Sequence, residues 1–202
     1  MLRSGGIYTP EWVLKLKNAV SRHLTGHRFY CLSDVDVPCE WVKLRHNWPG
    51  WWSKIEVFDV VDGPTLYLDL DTLVLGSLEP IKTLKTFSMI DLRTTNQKGI
   101  GQSGVMYFPD RVRKVYDRFL SNPQWYMDYH KKHQKGMYLG DQAFIFDVLG
   151  STDKITEKLP GFIRSYKLNC QDGPKNSAIV CFHGEPRLNE VKDQWVKRAW
   201  QS

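Results

Sequence analysis

From Thr9 onward, apolar residues recur with the spacing of one helical face: Trp12, Val13, Leu16, Ala19 and Val20. Thr9 suits the cap of that helix, Pro10 its first position, and Gly26 its end. Short apolar runs over 28–32 and 41–44 read as strands. Trp52, Ile55 and Phe58 have the spacing of a short helix. The run over 65–70 is nearly continuous in apolar residues, as in the buried centre of a sheet. Further strands are predicted over 87–90, 105–108 and 179–182. Helices are predicted over 111–120 with Val112, Val115 and Phe119 inward, over 141–149 ended by Gly150, and over 190–200 with Val191, Trp195 and Val196 on one side. The polar, glycine-containing loop over 94–103 is expected to be mobile. Helical and strand patterns alternate without internal repeats, which predicts an α/β fold, with 1–202 as a single domain.

Composition adds little to this picture, because 42% hydrophobic and 25% charged residues are ordinary for a globular chain. No apolar run is long enough to cross a membrane, and the N-terminus lacks the order of a secretory signal, so a cytoplasmic protein is expected. The four cysteines form no C-x-x-C pair, which argues against a structural zinc site. Cys31 and Cys181 sit in apolar runs and are expected to be buried and reduced, whereas Cys170 lies in a polar stretch and is expected nearer the surface. The net charge of +6 is concentrated: residues 111–135 carry seven basic and two acidic side chains. Such a face suits an anionic partner, or is simply solvated.

The chemistry-bearing residues lie at predicted element ends. Asp69 and Asp71 follow an apolar strand at i and i+2, and paired carboxylates there repel unless a cation such as Mg²⁺ or Mn²⁺ sits between them. A solvated turn with two exposed acids is the plainer alternative. His183 ends a late apolar strand and is either an ordinary hydrogen-bonded histidine or a third ligand beside the two acids. Gly184 after it permits close approach of a phosphate, with Arg187 adding positive charge. Asp141 and Gln142 start a helix, where the acid either serves the helix dipole or faces a reacting group.

In their order along the chain, Leu2-Arg3-Ser4-Gly5-Gly6, Trp48-Pro49-Gly50-Trp51-Trp52-Ser53-Lys54, Tyr67-Leu68-Asp69-Leu70-Asp71, Gly140-Asp141-Gln142 and Cys181-Phe182-His183-Gly184 resemble GT-A glycosyltransferases. The resemblance is to the retaining, glycogenin-like and lipopolysaccharide-galactosyltransferase-like group, and closer still to small bacterial and phage proteins of that kind. It implies a Rossmann-like domain with a mixed, mostly parallel sheet flanked by helices. It also implies Mn²⁺ or Mg²⁺ held by Asp69, Asp71 and His183, and a nucleoside-diphosphate sugar, by resemblance a UDP-sugar, bound by Arg3, Ser4, Gly5, Lys54, Asp69, Gln102, Ser103, Gly184 and Arg187. By the same resemblance Asp141 and Gln142 stand beside the anomeric carbon and Gln102-Ser103-Gly104 forms a loop along the donor sugar. Relatives carry an apolar first strand before the Leu-Arg-Ser-Gly-Gly stretch, whereas Met1 directly precedes Leu2 here. That strand is therefore shortened, replaced by another segment, or lost to a misplaced start codon.

The acceptor is expected to be a saccharide, a protein side chain, or hydroxymethylated phage DNA modified in the bacterial host cytoplasm. Trp51, Trp125, Tyr129, Lys131 and Lys132 are the acceptor candidates, because interleaved aromatic and basic residues stack on rings and hold phosphates. Trp52 is expected in the core, with Trp48 and Trp51 left open. Three other readings compete: a nucleotidyltransferase, which needs a glycine-rich basic loop after its first strand; a metal-dependent nuclease; and a non-catalytic nucleic-acid-binding protein, which has no need of the paired acids.

Overall fold

The computed structural model describes residues 1–92, 100–136 and 138–201. In chain order the elements are α1 (Pro10–His23), β1 (Tyr30–Ser33), β2 (Glu40–Lys43), a 3₁₀ helix (Gly50–Glu56), α2 (Val57–Val60), β3 (Thr65–Leu68), β4 (Thr72–Val74) and a second 3₁₀ helix (Glu79–Thr83). They continue with β5 (Ser88–Ile90), β6 (Gln102–Phe108), α3 (Lys114–Leu120), α4 (Pro123–Lys132), α5 (Gly140–Leu149), β7 (Asp153–Lys154), α6 (Ile155–Lys158), β8 (Ile163–Ser165), α7 (Tyr166–Asn169), β9 (Ile179–Cys181) and α8 (Gln194–Gln201). The chain divides into two compact units, one formed by 1–43, 68–83 and 159–202, the other by 44–67 and 84–158.

In the first unit, β9 lies between β4 and β8, antiparallel to the former and parallel to the latter. Helix α1 presents Trp12, Val13, Leu16, Ala19 and Val20 inward, as their spacing predicts, and packs on β4. β1 and β2 pair in parallel, and Leu2 adds a single parallel bridge to Ser33, its amide donating to the Leu32 carbonyl at 2.8 Å. Leu2 is buried.

In the second unit the sheet order is β3-β6-β5-β7, with β5 antiparallel to β6 and parallel to β7. Helix α5 is apolar in sequence, and residues 140–145 are buried against the first 3₁₀ helix, α3 and α4. Fully buried Phe58, Phe108, Phe119 and Phe144 anchor the core; each such ring contributes roughly 1.5–3 kcal/mol. Trp52 stacks on Phe119 at 5.1 Å and is in the core as expected, joined there by Trp48.

Several elements differ from expectation. The strand predicted over 65–70 stops at Leu68, so Asp69-Leu70-Asp71 forms a turn into β4 and the alternation of a strand does not govern it. The helix predicted over 111–120 begins at Lys114, leaving Val112 half-exposed, and the C-terminal helix begins at Gln194, with Val191 buried outside it. Cys170 is buried rather than near the surface. The mobile loop expected over 94–103 falls outside the described residues at 94–99, and its end is strand: Gln102, Ser103 and Gly104 open β6. Among the described residues no helix is long and apolar enough to cross a membrane.

Candidate active site

The acidic turn is tied to the end of β9 by backbone. Thr72 pairs with Cys181 in the antiparallel register, and the Phe182 amide donates to the Asp71 carbonyl at 3.0 Å. The residue after Phe182 is His183, so two sequence-distant motifs become neighbours through one ladder. Asp69, Asp71 and His183 are all half-buried. Tyr8 donates its hydroxyl to Asp71 Oδ2 at 2.8 Å. Burial, then the charge and hydrogen bond of Asp71 and the charge of Asp69, push the Tyr8 phenol well above its usual range, so it stays a donor. Arg187 opposes that shift, which places its charge near the same cluster. Burial, with Asp71 and Asp69 adding to it, likewise keeps the Cys181 thiol protonated.

His183 Nε2 shares a 2.8 Å hydrogen bond with Ser165 Oγ. Burial, and then the nearby Lys167 ammonium, lower its pKa to about 4, so the imidazole is neutral at neutral pH, the form a metal ligand needs. Two carboxylates and a neutral imidazole fit a hard divalent cation in kind. Among the described residues, however, no three His, Cys, Asp or Glu side chains are gathered closely enough to hold one as they stand. Gly184 has φ +70°, and a Cβ there would come within 3.3 Å of Lys167 Nζ, so this ammonium lies over the turn.

The expected nucleoside residues gather around Asp34. Its carboxylate accepts from the Ser4 amide at 2.8 Å and the Ser4 hydroxyl at 2.7 Å, with Arg3 at 3.5 Å. Burial raises the Asp34 pKa, but the Ser4 bonds and the Arg3 charge outweigh it and hold the carboxyl below its usual range. Gly5 follows at φ +87°, a conformation that favours glycine.

The second unit contains a buried polar cluster. Ser103 Oγ donates to Asp141 Oδ2 at 2.5 Å, and Lys54 Nζ donates to Ser103 Oγ at 3.1 Å and lies 3.7 Å from Asp141 Oδ2. Lys54 and Asp141 are each only 5% exposed. A buried ion pair costs more desolvation than it returns unless its remaining hydrogen bonds are made, so such groups commonly mark functional sites. Gln102, also buried, accepts from the Leu92 amide at 2.9 Å, and Gln142 is buried in the first turn of α5. The members of this cluster, all among the sequence candidates, come together from the first 3₁₀ helix, β6 and α5.

The acceptor candidates separate. Trp51 and Lys131 line one pocket, whereas Trp125, Tyr129 and Lys132 are not part of its wall. Trp125 instead stacks on Tyr129 at 5.1 Å, and Tyr129 on His133 at 4.2 Å, along the exposed outside of α4. Sequence reading missed Asp34, Ser165 and Lys167. Asp34, just past a predicted strand, was the one most open to discovery.

The fold is shared with solved glycosyltransferases. It aligns with the apo form of the glycosyltransferase GlyE of Streptococcus pneumoniae TIGR4 at a TM-score of 0.66 and 15% identity, covering 98% of this chain and 58% of that one. The galactosyltransferase LgtC, solved with donor and acceptor sugar analogues, aligns at 0.66 and 13% identity over 95% of this chain and 90% of its own. The bifunctional glycosyltransferase WbbM aligns at 0.57 and 11% identity over 95% of this chain and 49% of its own. The chain therefore spans little more than half the length of the pneumococcal protein. No protein-family model and no curated protein sequence matches it.

Proposed function

We propose that the chain is a metal-dependent glycosyltransferase that moves a sugar from a nucleoside-diphosphate sugar, a UDP-sugar by resemblance, to a hydroxyl acceptor with retention of configuration. The observation that carries this reading is the β4–β9 ladder, which sets the Asp69-Leu70-Asp71 turn beside His183. Asp69, Asp71 and His183 would hold Mn²⁺ or Mg²⁺. When bound, such an ion neutralises the charge that develops on a departing diphosphate. Tyr8 and Ser165 orient two of the ligands through the hydrogen bonds described, the outer partnership that metal sites rely on. Lys167, Arg187 and the Gly184 turn supply positive charge and close backbone approach for the phosphates, and Arg3, Ser4 and Gly5 contact the nucleoside.

In the second unit, Lys54, Gln102 and Ser103 hold Asp141 and the donor sugar in place. Asp141, paired with Lys54, steadies the positive charge of an oxocarbenium-like centre, with Gln142 beside it. The default acceptor is a saccharide hydroxyl; hydroxymethylated DNA is the alternative supported by the basic stretch over 111–135.

Incubation with Mn²⁺ and a panel of nucleotide sugars, with diphosphate release recorded, tests the reading. Release from one donor is expected, falling by at least about a hundredfold in Asp71→Ala. A fully active Asp71→Ala protein would sink it. Conversion of a sugar 1-phosphate and a nucleoside triphosphate would establish a nucleotidyltransferase instead.

A further inference from the structure

Three tryptophans fall within five residues, and two of them are core. Trp48 stacks on His46 at 4.1 Å and meets Phe119 edge-on, and Trp52 stacks on Phe119. Trp51 alone is turned out, at 49% exposure. It borders a pocket of about 720 Å³ formed within the second unit, a size that suits a small-molecule site. Gly140, at φ +55°, forms part of the wall, and a Cβ there would overlap the Trp51 indole. The ring therefore lies against bare backbone while much of it faces solvent.

Another part of the lining is a single face of α4. Gln124, Met127, Asp128 and Lys131 line the pocket at the i, i+3, i+4 and i+7 positions of the helix. Gln124 Nε2 donates to Asp128 Oδ1 at 2.9 Å, which sets both polar ends on that wall. One acid and one base on the wall cancel, and Lys132 and Lys135 of the basic stretch lie outside it. A large aromatic face sharing one pocket with amide and carboxylate groups, without net charge, matches a sugar ring: its C–H face stacks and its hydroxyls hydrogen-bond. A polyanion would need the opposite balance.

The position has a chemical consequence. Trp51 precedes Lys54 on one 3₁₀ helix, and Gly140 directly precedes Asp141 on α5. The Trp51 and Gly140 part of the lining thus continues within a few residues into Lys54 and Asp141 of the buried cluster. We infer that this pocket is the acceptor subsite and that it takes a neutral saccharide stacked on Trp51. The assignment rests on the glycosyltransferase reading above.

The test is retention of fluorescently labelled protein on immobilised neutral oligosaccharides, sialylated oligosaccharides and a single-stranded oligodeoxynucleotide. Wild type is expected on neutral saccharides, with retention at least about tenfold lower in Trp51→Ala. Because Trp51 contributes to packing, a second variant, Gln124→Ala with Asp128→Ala on the exposed face of α4, is run beside it and is expected to lose retention too. No retention on neutral saccharides, retention only on the acidic probes, or retention unchanged in both variants would overturn the assignment. Diphosphate release from nucleotide sugars is measured on the same wild-type sample. Retention without release from any donor would remove the transferase reading and leave a saccharide site, whereas release without retention would remove the pocket and leave the transferase.

Discussion

The indole of Trp51 rests against Gly140, a contact that exists because Gly140 has no side chain and takes a positive φ. Gly140→Ala breaks it twice over, by overlap with the ring and by forcing a left-handed conformation on a residue with a Cβ. A loss of about 1–3 kcal/mol is expected in urea unfolding, together with lower retention on neutral saccharides. A variant as stable as wild type would show that Trp51 moves aside at no cost and is not fixed by the glycine.

Lys54 and Asp141 form a buried pair, so removing one charge strands the other. Lys54→Met is expected to cost about 3–5 kcal/mol in unfolding free energy. Lys54→Met combined with Asp141→Leu should recover much of that loss, while activity stays absent. If the double variant is as unstable as the sum of the singles, the pair is not coupled and Asp141 is held by Ser103 alone.

Tyr8 touches Asp71, not the ion that Asp71 is proposed to hold. Tyr8→Phe should therefore weaken Mn²⁺ binding by about tenfold, as loss of an outer partner does, and Asp71→Asn should weaken it further. Isothermal titration calorimetry reads both. Equal affinity in wild type and Tyr8→Phe would leave the tyrosine with packing against Trp12, 5.1 Å away edge-on, as its sole role.

His130 is 1% exposed, among Trp52, Tyr129, Tyr138 and Phe144, with Asp147 at 3.5 Å. Burial lowers its pKa more than Asp147 raises it, and His133 lowers it further. Above the ordinary value of 6.5 the ring is neutral in both the folded and the unfolded chain, and it has no effect on pH dependence. Below 6.5 the unfolded chain takes up a proton that the folded chain resists, so stability falls with pH until the folded value is reached. Melting temperatures between pH 7.5 and 5 should decline in wild type and decline less steeply in His130→Leu. His23 and His183 are shifted the same way, so the slope should shrink without vanishing.

Residues with local causes were readable before the fold. Helix α1 has its cap position, its first-turn proline and five inward side chains in register. Asp69, Asp71 and His183 stand where apolar runs stop, and such ends are where sheets expose chemistry, while Asp141 stands in the first turn of a helix. Trp52, Ile55 and Phe58 recur every three residues, a period that belongs to the 3₁₀ helix as much as to the α-helix, and the chain uses both there. What could not be read depends on partners far away in sequence. β4 is three residues long, too short for a pattern of its own, and exists by pairing with a strand a hundred residues later. Asp34 acquires its role from Ser4, thirty residues earlier. Ser165 and Lys167 lie on elements of three and four residues, below the length at which periodicity carries a signal.

The first unit is stitched from three separated stretches of chain, and the middle strand of its three-stranded sheet comes from the last of them. During synthesis, β4 and β8 both leave the ribosome before β9 exists to join them, so neither gains a neighbour in that sheet until residues 179–181 emerge. The second unit has all of its residues once the chain passes 158. Production in the cell therefore has a fixed timetable: β4, which follows the acidic turn, waits for its sheet neighbour through roughly a hundred residues of elongation, several seconds at ordinary translation rates.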